Sequence, residues 1–208
     1  AVHDSIEHLL HRAHRDIPVW VVPHGVHISK ESGENVAPFL PSRAYFACLN
    51  TIEPRKNHLL LLHVWRDLVD AMGEDAPVLV LVGKRGWENE NILDLLERSP
   101  ALAEHVVEYN DLSDRDVIRV LKGCRALLFP SFVEGYGLPV AEALTLGVPA
   151  ICSDIPVLRE IGQDVPDYLD PLDGLGWRAV VLDYLSDDGM RAAQMARLAY
   201  WTPRSWNE

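Results

Sequence analysis

The chain has 208 residues, a hydrophobic content of 48% and a formal net charge of −12. That length allows one or two domains with a substantial core, and the acidic balance argues against a nucleic-acid surface, which would need a basic stripe. No apolar run approaches the ~18 residues of a membrane helix. Residues 1–15 carry four histidines and mixed charges, so we do not expect a secretory signal there.

The N-terminal part is predicted to hold one helix, one short strand and a loop. Apolar residues at helical spacing predict a helix from Ser5 to His14. The histidines on it are interpreted as a solvated face rather than as metal ligands, because no cysteine or carboxylate cluster accompanies them. A strand is predicted for Val19 to Val22, and the polar, proline-bearing segment from Ser29 to Pro41 is typical of a surface loop.

From Ala44 onward, apolar strands alternate with amphipathic helices. This alternation predicts a parallel sheet covered by helices on both faces, a Rossmann-like α/β fold. Ligands of such sheets bind beyond the carboxyl ends of the strands. Strands are predicted at Ala44–Leu49, Val78–Val82, His105–Glu108, Ala126–Phe129 and Val148–Cys152, with helices at Leu59–Val69, Asn91–Leu96, Ser113–Leu121, Val157–Ile161, Trp177–Leu185 and Met190–Tyr200.

Three cysteines, Cys48, Cys124 and Cys152, lie beside apolar runs and lack metal-type spacing. We predict free, mostly buried thiols in a protein of a reducing compartment. No metal site is predicted.

The stretch from Phe129 to Pro149 carries the strongest functional pattern. A strand ends, a turn with Gly135 and Gly137 follows, and a helix is predicted to open at Pro139, a residue suited to the first helical position. Glycines let the backbone approach a ligand closely, and free amides at a helix start attract anions such as phosphate.

Two carboxylates flank that predicted anion site. Glu134 lies in the loop, and Glu142 is expected in the first turn or so of the helix. Glu142 alone has a simpler interpretation, because negative charge near a helix start is stabilised by the helix dipole. Beside a phosphate, however, carboxylates suit hydroxyl donors, and a sugar or ribose diol supplies two of them. The combination favours a nucleotide-sugar ligand.

The motifs in this region resemble those of a known family. The run from Glu134 to Pro139, followed by Glu142-Ala143 and Gly147-Val148-Pro149, resembles the E-x7-E signature of retaining glycosyltransferases of family 4, which have the GT-B fold. Ser153-Asp154-Ile155-Pro156 with Arg159-Glu160 resembles its continuation, and Thr51 to Asn57 is similar to the family's "GTIEPRKN" loop. Three ordered matches over about a hundred residues are far more specific than a lone E-x7-E.

The resemblance implies a domain organisation. Pro23-His24-Gly25-Val26 is similar to the segment that joins the two GT-B domains. Residues 1–22 would then be the tail of an acceptor domain or the linker, and residues 23–208 the nucleotide-sugar-binding domain. A chain of this kind would be incomplete as an enzyme.

The resemblance also implies roles for single residues. Lys56 would neutralise the donor diphosphate as the leaving group gains charge, with Arg55 as a second cation. The alternative interpretation of these two residues is a solvated cation pair at a helix start. Glu134 would lie near the hydroxyls of the donor sugar, beside the amides of four residues of the loop and helix start (Gly135, Tyr136, Gly137, Leu138). Glu142 would accept from the ribose hydroxyls. Lys84 and Arg85 either approach the same cleft or form a charged turn.

The activity implied is that of a metal-independent hexosyltransferase of polysaccharide biosynthesis. It would use no cofactor beyond its nucleotide-sugar donor, with GDP-mannose first and UDP-glucose second, and a saccharide or lipid-linked acceptor. We expect a cytoplasmic location and leave peripheral contact with the inner face of the membrane open. The alternatives are a nucleotide-sugar epimerase of the same fold and a non-catalytic nucleotide-binding module. A dinucleotide-binding oxidoreductase is disfavoured, because no G-x-G-x-x-G follows the first strand.

Overall fold

The computed structural model describes residues 2–14, 17–20, 25–26 and 39–203, with side chains from residue 6 onward. One helix, α1, precedes an alternating α/β unit. Its strands are β1 (Tyr45–Leu49), β2 (Val78–Val82), β3 (Val106–Tyr109), β4 (Leu127–Phe129), β5 (Ala150–Ser153) and β6 (Asp167–Leu169). The helices are α1 (Val2–Arg12), α2 (His58–Met72), α3 (Glu90–Arg98), α4 (Asp114–Gly123), α5 (Leu138–Thr145), α6 (Pro156–Gly162), α7 (Gly174–Asp183) and α8 (Gly189–Leu198).

The six strands form one sheet in the order β3-β2-β1-β4-β5-β6, and every pairing is parallel. The four central strands are near-continuous apolar runs rather than alternating ones, because both of their faces are buried. Strand β1, for example, is buried along its whole length. The fold class predicted from the sequence is confirmed.

Two helical layers cover the sheet. Helices α4, α5, α6 and α8 pack on the face that carries Tyr45, Ala47 and Leu49 of β1. Helices α2, α3 and α7 pack on the opposite face, around Phe46 and Cys48. Alternate side chains of a strand point to opposite faces, so one short apolar strand supplies both layers.

The strand order reverses direction at β1 and β4. The chain runs outward from β1 to β2 and β3 on one side, and from β4 to β5 and β6 on the other. In open α/β sheets, ligands bind in the crevice outside the carboxyl ends of the strands at such a switch point. The two loops that meet there are the one between β1 and α2 and the one between β4 and α5.

Most predicted elements are found within one to three residues of their predicted limits. The N-terminal helix begins earlier and ends earlier than predicted, at Val2 and Arg12. The predicted strand Val19–Val22 is wrong for Val19 and Trp20, which adopt no regular structure, and Val21 and Val22 lie outside the described residues. Most of the predicted loop Ser29–Pro41 and the proposed boundary near residue 22 also lie outside them.

The three cysteines are free and buried, as predicted. None of the helices in the described ranges is long and apolar enough to cross a membrane.

Candidate functional site

The loop between β1 and α2 turns sharply and ends in a left-handed residue. Pro54 to Lys56 form one 3-10 turn, in which the proline occupies an early position where its missing N–H costs nothing. Asn57 follows with φ 59° and ψ 35°, and α2 begins at His58. Asparagine tolerates this conformation better than most residues. The turn directs Lys56 toward the neighbouring loop rather than along α2.

Three consecutive residues of this loop each bond to the loop between β4 and α5. The Phe132 amide donates to the Arg55 carbonyl at 2.9 Å. Lys56 Nζ donates to Glu134 Oε1 at 2.6 Å, and Asn57 Nδ2 donates to the Pro130 carbonyl at 3.1 Å. The two sequence motifs that lie about eighty residues apart therefore form one structural unit.

The Lys56–Glu134 ion pair is the electrostatic centre of this unit. Only 9% of the Lys56 side chain and 7% of the Glu134 side chain are exposed. The ammonium also lies 5.9 Å from the centre of the Phe129 ring. An ammonium has three donors and a carboxylate about four acceptor positions, so each group keeps capacity for a ligand after bonding to the other.

Arg55 is the more exposed of the two predicted cations. Its side chain is 45% exposed, lying 2.6 Å from Glu53 Oε1 and 3.9 Å from Glu134 Oε2. Glu53 itself is buried. The four charges of this cluster balance, and the exposed Arg55 guanidinium has further donors with which to bind a phosphate while it stays paired with Glu53.

The start of α5 offers backbone donors beside the ion pair. The helix begins at Leu138, one residue earlier than predicted, so that Pro139 is its second residue. Gly137 directly precedes the helix and has a φ of 101°. Within the described ranges, the amides of Gly135, Gly137 and Leu138 donate to no other group. Amides at a helix N-terminus with no partner form an anion site.

The two glycines of this loop serve different needs. A Cβ on Gly137 would lie 2.7 Å from Leu158 Cδ2, and its positive φ also requires glycine. Gly135 has neither constraint, since a Cβ there would meet nothing within 4 Å. The fold itself therefore requires glycine at position 137 but not at position 135.

Glu142 lies outside the first turn of α5. It is the fifth residue of the helix, directly after the first turn, which agrees with the predicted position in the first turn or so; the first turn itself holds no acid. The simple dipole interpretation is weakened accordingly, because that effect falls off within the first turn. Burial, and secondarily the charge of Asp114 at the start of α4, raise the pKa of Glu142. A half-buried acid whose pKa no cation among the described residues lowers suits a ligand that donates hydroxyls.

The sequence left two interpretations open for Lys84 and Arg85. Arg85 follows β2 and binds two carboxylates, Glu97 through Nη1 at 2.7 Å and Glu108 through Nη2 at 2.8 Å. These bonds raise the pKa of Arg85 further. For Arg85, the structure therefore agrees with the interpretation as part of a charged turn.

Three residues at this edge were not singled out from the sequence. Glu53 and Asn57 appeared only as letters of a motif, although an asparagine directly before a helix is a signal for a left-handed turn. His58 is fully buried, and neither ring nitrogen has a hydrogen-bond partner among the described residues. Burial, then the nearby charge of Lys56, lower the pKa of His58 to about 4, so the ring is neutral.

No group of three or more His, Cys, Asp or Glu side chains in the described part of the chain is arranged to hold a metal ion. The donors that converge at the switch point are an ammonium, a guanidinium and backbone amides. Such groups bind anions.

A parallel sheet whose switch-point crevice combines cations, carboxylates and amides without a partner among the described residues defines a ligand-binding α/β domain of the doubly wound type. The model of the family described as "Glycosyl transferases group 1" matches residues 31–165. The chain belongs to this family.

Curated relatives share the matched region. The chain is 36% identical over 166 residues to the protein named O-antigen chain mannosyltransferase B of Escherichia coli. The aligned region covers 79% of this chain and 43% of that protein. It is also 36% identical over 123 residues to the serotype-specific mannosyltransferase WbdA of E. coli, covering 57% and 14%. The chain thus spans less than half the length of these relatives.

Solved structures share the fold at low sequence identity. A variant of S. aureus TarM, crystallised with fondaparinux, alpha-GlcNAc-glycerol and UDP, superposes with a TM-score of 0.71 over 93% of this chain and 38% of that one. The two sequences are 16% identical, so this likeness concerns the fold alone.

Proposed function

We propose that this chain is the donor-binding part of a retaining glycosyltransferase of family 4, which transfers a hexose from a nucleotide-sugar to a saccharide or lipid-linked acceptor in polysaccharide biosynthesis. One observation carries the proposal. The buried Lys56–Glu134 pair joins two motif loops at the switch point, next to unpartnered amides at the start of α5. Cations and amides suit a diphosphate, and the adjoining acids suit hydroxyls.

GDP-mannose is the proposed donor, and UDP-glucose is the alternative. The names of the two relatives support mannose, since one is an O-antigen chain mannosyltransferase and the other a serotype-specific mannosyltransferase. The loops that resemble those of bacterial mannosyltransferases support GDP-mannose as the form in which the mannose would be bound. The purine or pyrimidine base would lie toward the segment from Glu108 to Leu112, at the end of β3 and in the loop that follows, as the resemblance implies.

Each group receives one role in this proposal. Lys56 and the amides of residues 135–138 hold the diphosphate, and Arg55 adds a second cation. Glu142 accepts from the ribose hydroxyls. Glu134 accepts from the donor sugar while it keeps Lys56 in place, because its second oxygen lies 3.9 Å from Arg55 and has acceptor positions left.

The chemical step follows from these positions. Lys56 opposes the charge that develops on the leaving diphosphate, and stabilisation of this kind is often the largest single contribution to catalysis. No nucleophilic residue is assigned. The acceptor attacks from the face that the diphosphate leaves, and the leaving phosphate assists in taking its proton, as the resemblance implies.

The remaining parts of the enzyme are proposals as well. The acceptor site would lie on an N-terminal domain, with residues 1–22 as its tail or linker and residues 23–208 as the donor domain. No metal or separate cofactor is needed, since Lys56 and the amides supply the positive charge. The location would be the cytoplasm, with room for contact with the inner membrane face.

Calorimetric titration with GDP, UDP, ADP and NAD tests the proposal. We expect GDP or UDP to bind, GDP more tightly, and to raise the melting temperature. A ligand at a hundred times its dissociation constant adds about 2.7 kcal/mol to the free energy of unfolding. Binding of NAD alone would contradict the proposal and place the chain with the oxidoreductases, and no response to any of the four would contradict a preformed donor site.

A further inference from the structure

Asn57 connects three loops at the carboxyl edge of the sheet. It is the last residue before α2, and 6% of it is exposed. Its side-chain amide donates to the Pro130 carbonyl at 3.1 Å and to the Pro171 carbonyl at 2.9 Å. Pro130 directly follows β4, and Pro171 lies in the loop between β6 and α7. An amide nitrogen has two hydrogens, so both are used.

The sheet alone does not bring these loops together. Strand β6 is separated from β4 by β5 and from β1 by two strands. The loop after β6 reaches the site because α7 packs against α2, on the face that α2 and α7 share. The Asn57 amide therefore sets how the loop after β6 lies against the two motif loops.

Two separate requirements select asparagine at this position. The backbone is left-handed, with φ 59° and ψ 35°, which favours glycine and asparagine over other residues. The side chain must also donate twice over a short reach, which glycine cannot do and which aspartate cannot do when ionised. Asparagine meets both requirements.

We propose that Asn57 is a positioning residue of the donor site. It fixes the loop from Pro130 to Glu134 against Lys56, so that the ammonium, the carboxylate and the amides before α5 keep the spacing that a diphosphate needs. Small errors in such spacing weaken binding strongly, because preorganised groups act only at short range. This inference rests on the proposed function, since the diphosphate is the ligand for which Asn57 would hold these groups in place.

Two variants separate this role from simple stability. Asn57→Gly keeps the left-handed backbone and removes both hydrogen bonds, whereas Asn57→Asp keeps the shape and replaces a double donor with acceptors. The matched control is Gln194→Glu. Gln194 is also fully buried, and its amide bonds to the Ala150 amide and carbonyl at 2.7 Å and 2.8 Å, at the opposite edge of the sheet.

The first measurement is the affinity for GDP and for GMP, with UDP and UMP in parallel, well below the melting temperature of each variant. Both Asn57 variants are expected to bind GDP roughly tenfold more weakly than wild type and to lower the ratio of diphosphate to monophosphate affinity. Gln194→Glu should lower the melting temperature and leave that ratio unchanged. A ratio unchanged in folded Asn57→Gly or Asn57→Asp would overturn the inference.

The second measurement needs no ligand. Hydrogen exchange is compared for residues 130–137 and 170–176 in wild type, Asn57→Gly and Gln194→Glu. Faster exchange in both segments in the Asn57 variant alone supports the positioning role, and unchanged exchange overturns it. If wild type binds no nucleotide, the proposed function fails, and hydrogen exchange still decides whether Asn57 positions these loops.

Discussion

The two edges of the sheet differ in where their charged groups converge. At the amino edge, around the starts of β1, β4 and β5, long side chains bond to backbone carbonyls: Arg43 to Glu104 at 2.9 Å, Arg125 to Tyr184 at 2.8 Å and Gln194 of α8 to Ala150 at 2.8 Å. Arg125 also pairs with the exposed Asp187. At the carboxyl edge, charges pair with charges across loops, as in Lys56–Glu134 and Arg55–Glu53.

This difference separates groups that hold the fold from groups that can change partners. A guanidinium that bonds to backbone carbonyls, as Arg125 does, ties separate segments of the chain together, and its loss removes a donor from those carbonyls. An ion pair at the mouth of a crevice can share its remaining donors and acceptors with a ligand. The unpartnered amides before α5 occur at the same carboxyl edge. We therefore expect substitutions at the amino edge to change stability and those at the carboxyl edge to change binding.

The largest expected effect comes from breaking the Lys56–Glu134 pair. Lys56→Met leaves the buried Glu134 carboxylate without its partner, and removal of one member of a buried pair costs about 3–5 kcal/mol of unfolding free energy. Adding Glu134→Gln removes the stranded charge, so the double variant should recover most of that stability. GDP binding should be lost in both variants, as measured by calorimetry.

Arg125→Met at the amino edge is the matched control for this cycle. It removes a cation bonded to the carbonyls of Tyr184 and Ser186, so the melting temperature should fall while the GDP affinity of the folded protein is unchanged. If the double variant binds GDP like wild type, Lys56 has only a structural role.

The second largest effect is a sensitivity to acid caused by His58. Its pKa is lowered to about 4 by burial and by Lys56. The unfolded chain takes up a proton near pH 6.5 and the folded chain does not until about pH 4, so stability is lost as the pH falls between those values. A shift of this size corresponds to about 3 kcal/mol. Chemical denaturation from pH 7 to 4 should show a flatter decline in His58→Gln.

His63→Gln provides the control on the same helix. His63 lies five residues further along α2 and is exposed, so its substitution should leave the acid decline as in wild type. Equal declines in His58→Gln and wild type would mean that other groups cause the acid sensitivity.

The sequence predicted the sheet well because its signal is local. Strands such as Val78–Val82 are continuous apolar runs between polar turns, and a parallel sheet buried on both faces is the structure that such runs adopt. The strand predicted at Val19–Val22 failed for Val19 and Trp20 because apolar, β-branched composition was the only support, and no partner strand lies beside them among the described residues.

The site was predicted only in part. Motif letters identified Lys56 and Glu134 as residues of one site, but not that they bind each other, because their contact joins loops 78 positions apart. The role of Asn57 depends on the carbonyls of Pro130 and Pro171, which no side-chain pattern reports. The start of α5 was predicted one residue late, because the helix opens at Leu138, before the proline.

A smaller effect is expected for Glu142, with opposite signs for stability and binding. Burial raises its pKa, so the ionised form costs folding free energy at neutral pH, and this cost disappears as the pH falls through the raised pKa. Glu142→Gln should therefore melt higher than wild type at pH 7, and the gap should close toward pH 4. GDP should bind about tenfold more weakly. The exposed Asp94→Asn is the control, and a weaker fold with normal binding would contradict the ribose role.

The smallest effect on stability is expected for the two glycines before α5. They test whether a substitution at the carboxyl edge can change binding without changing stability. Gly137→Ala should cost about 1–2 kcal/mol, because alanine is strained at φ 101° and its Cβ would meet Leu158. Gly135→Ala should change stability by less than about 0.5 kcal/mol, since its Cβ meets nothing. Its GDP affinity should still fall several-fold if the backbone there touches the diphosphate. Melting curves and titrations of the two variants separate these effects, and normal GDP binding by Gly135→Ala would move the diphosphate away from this turn.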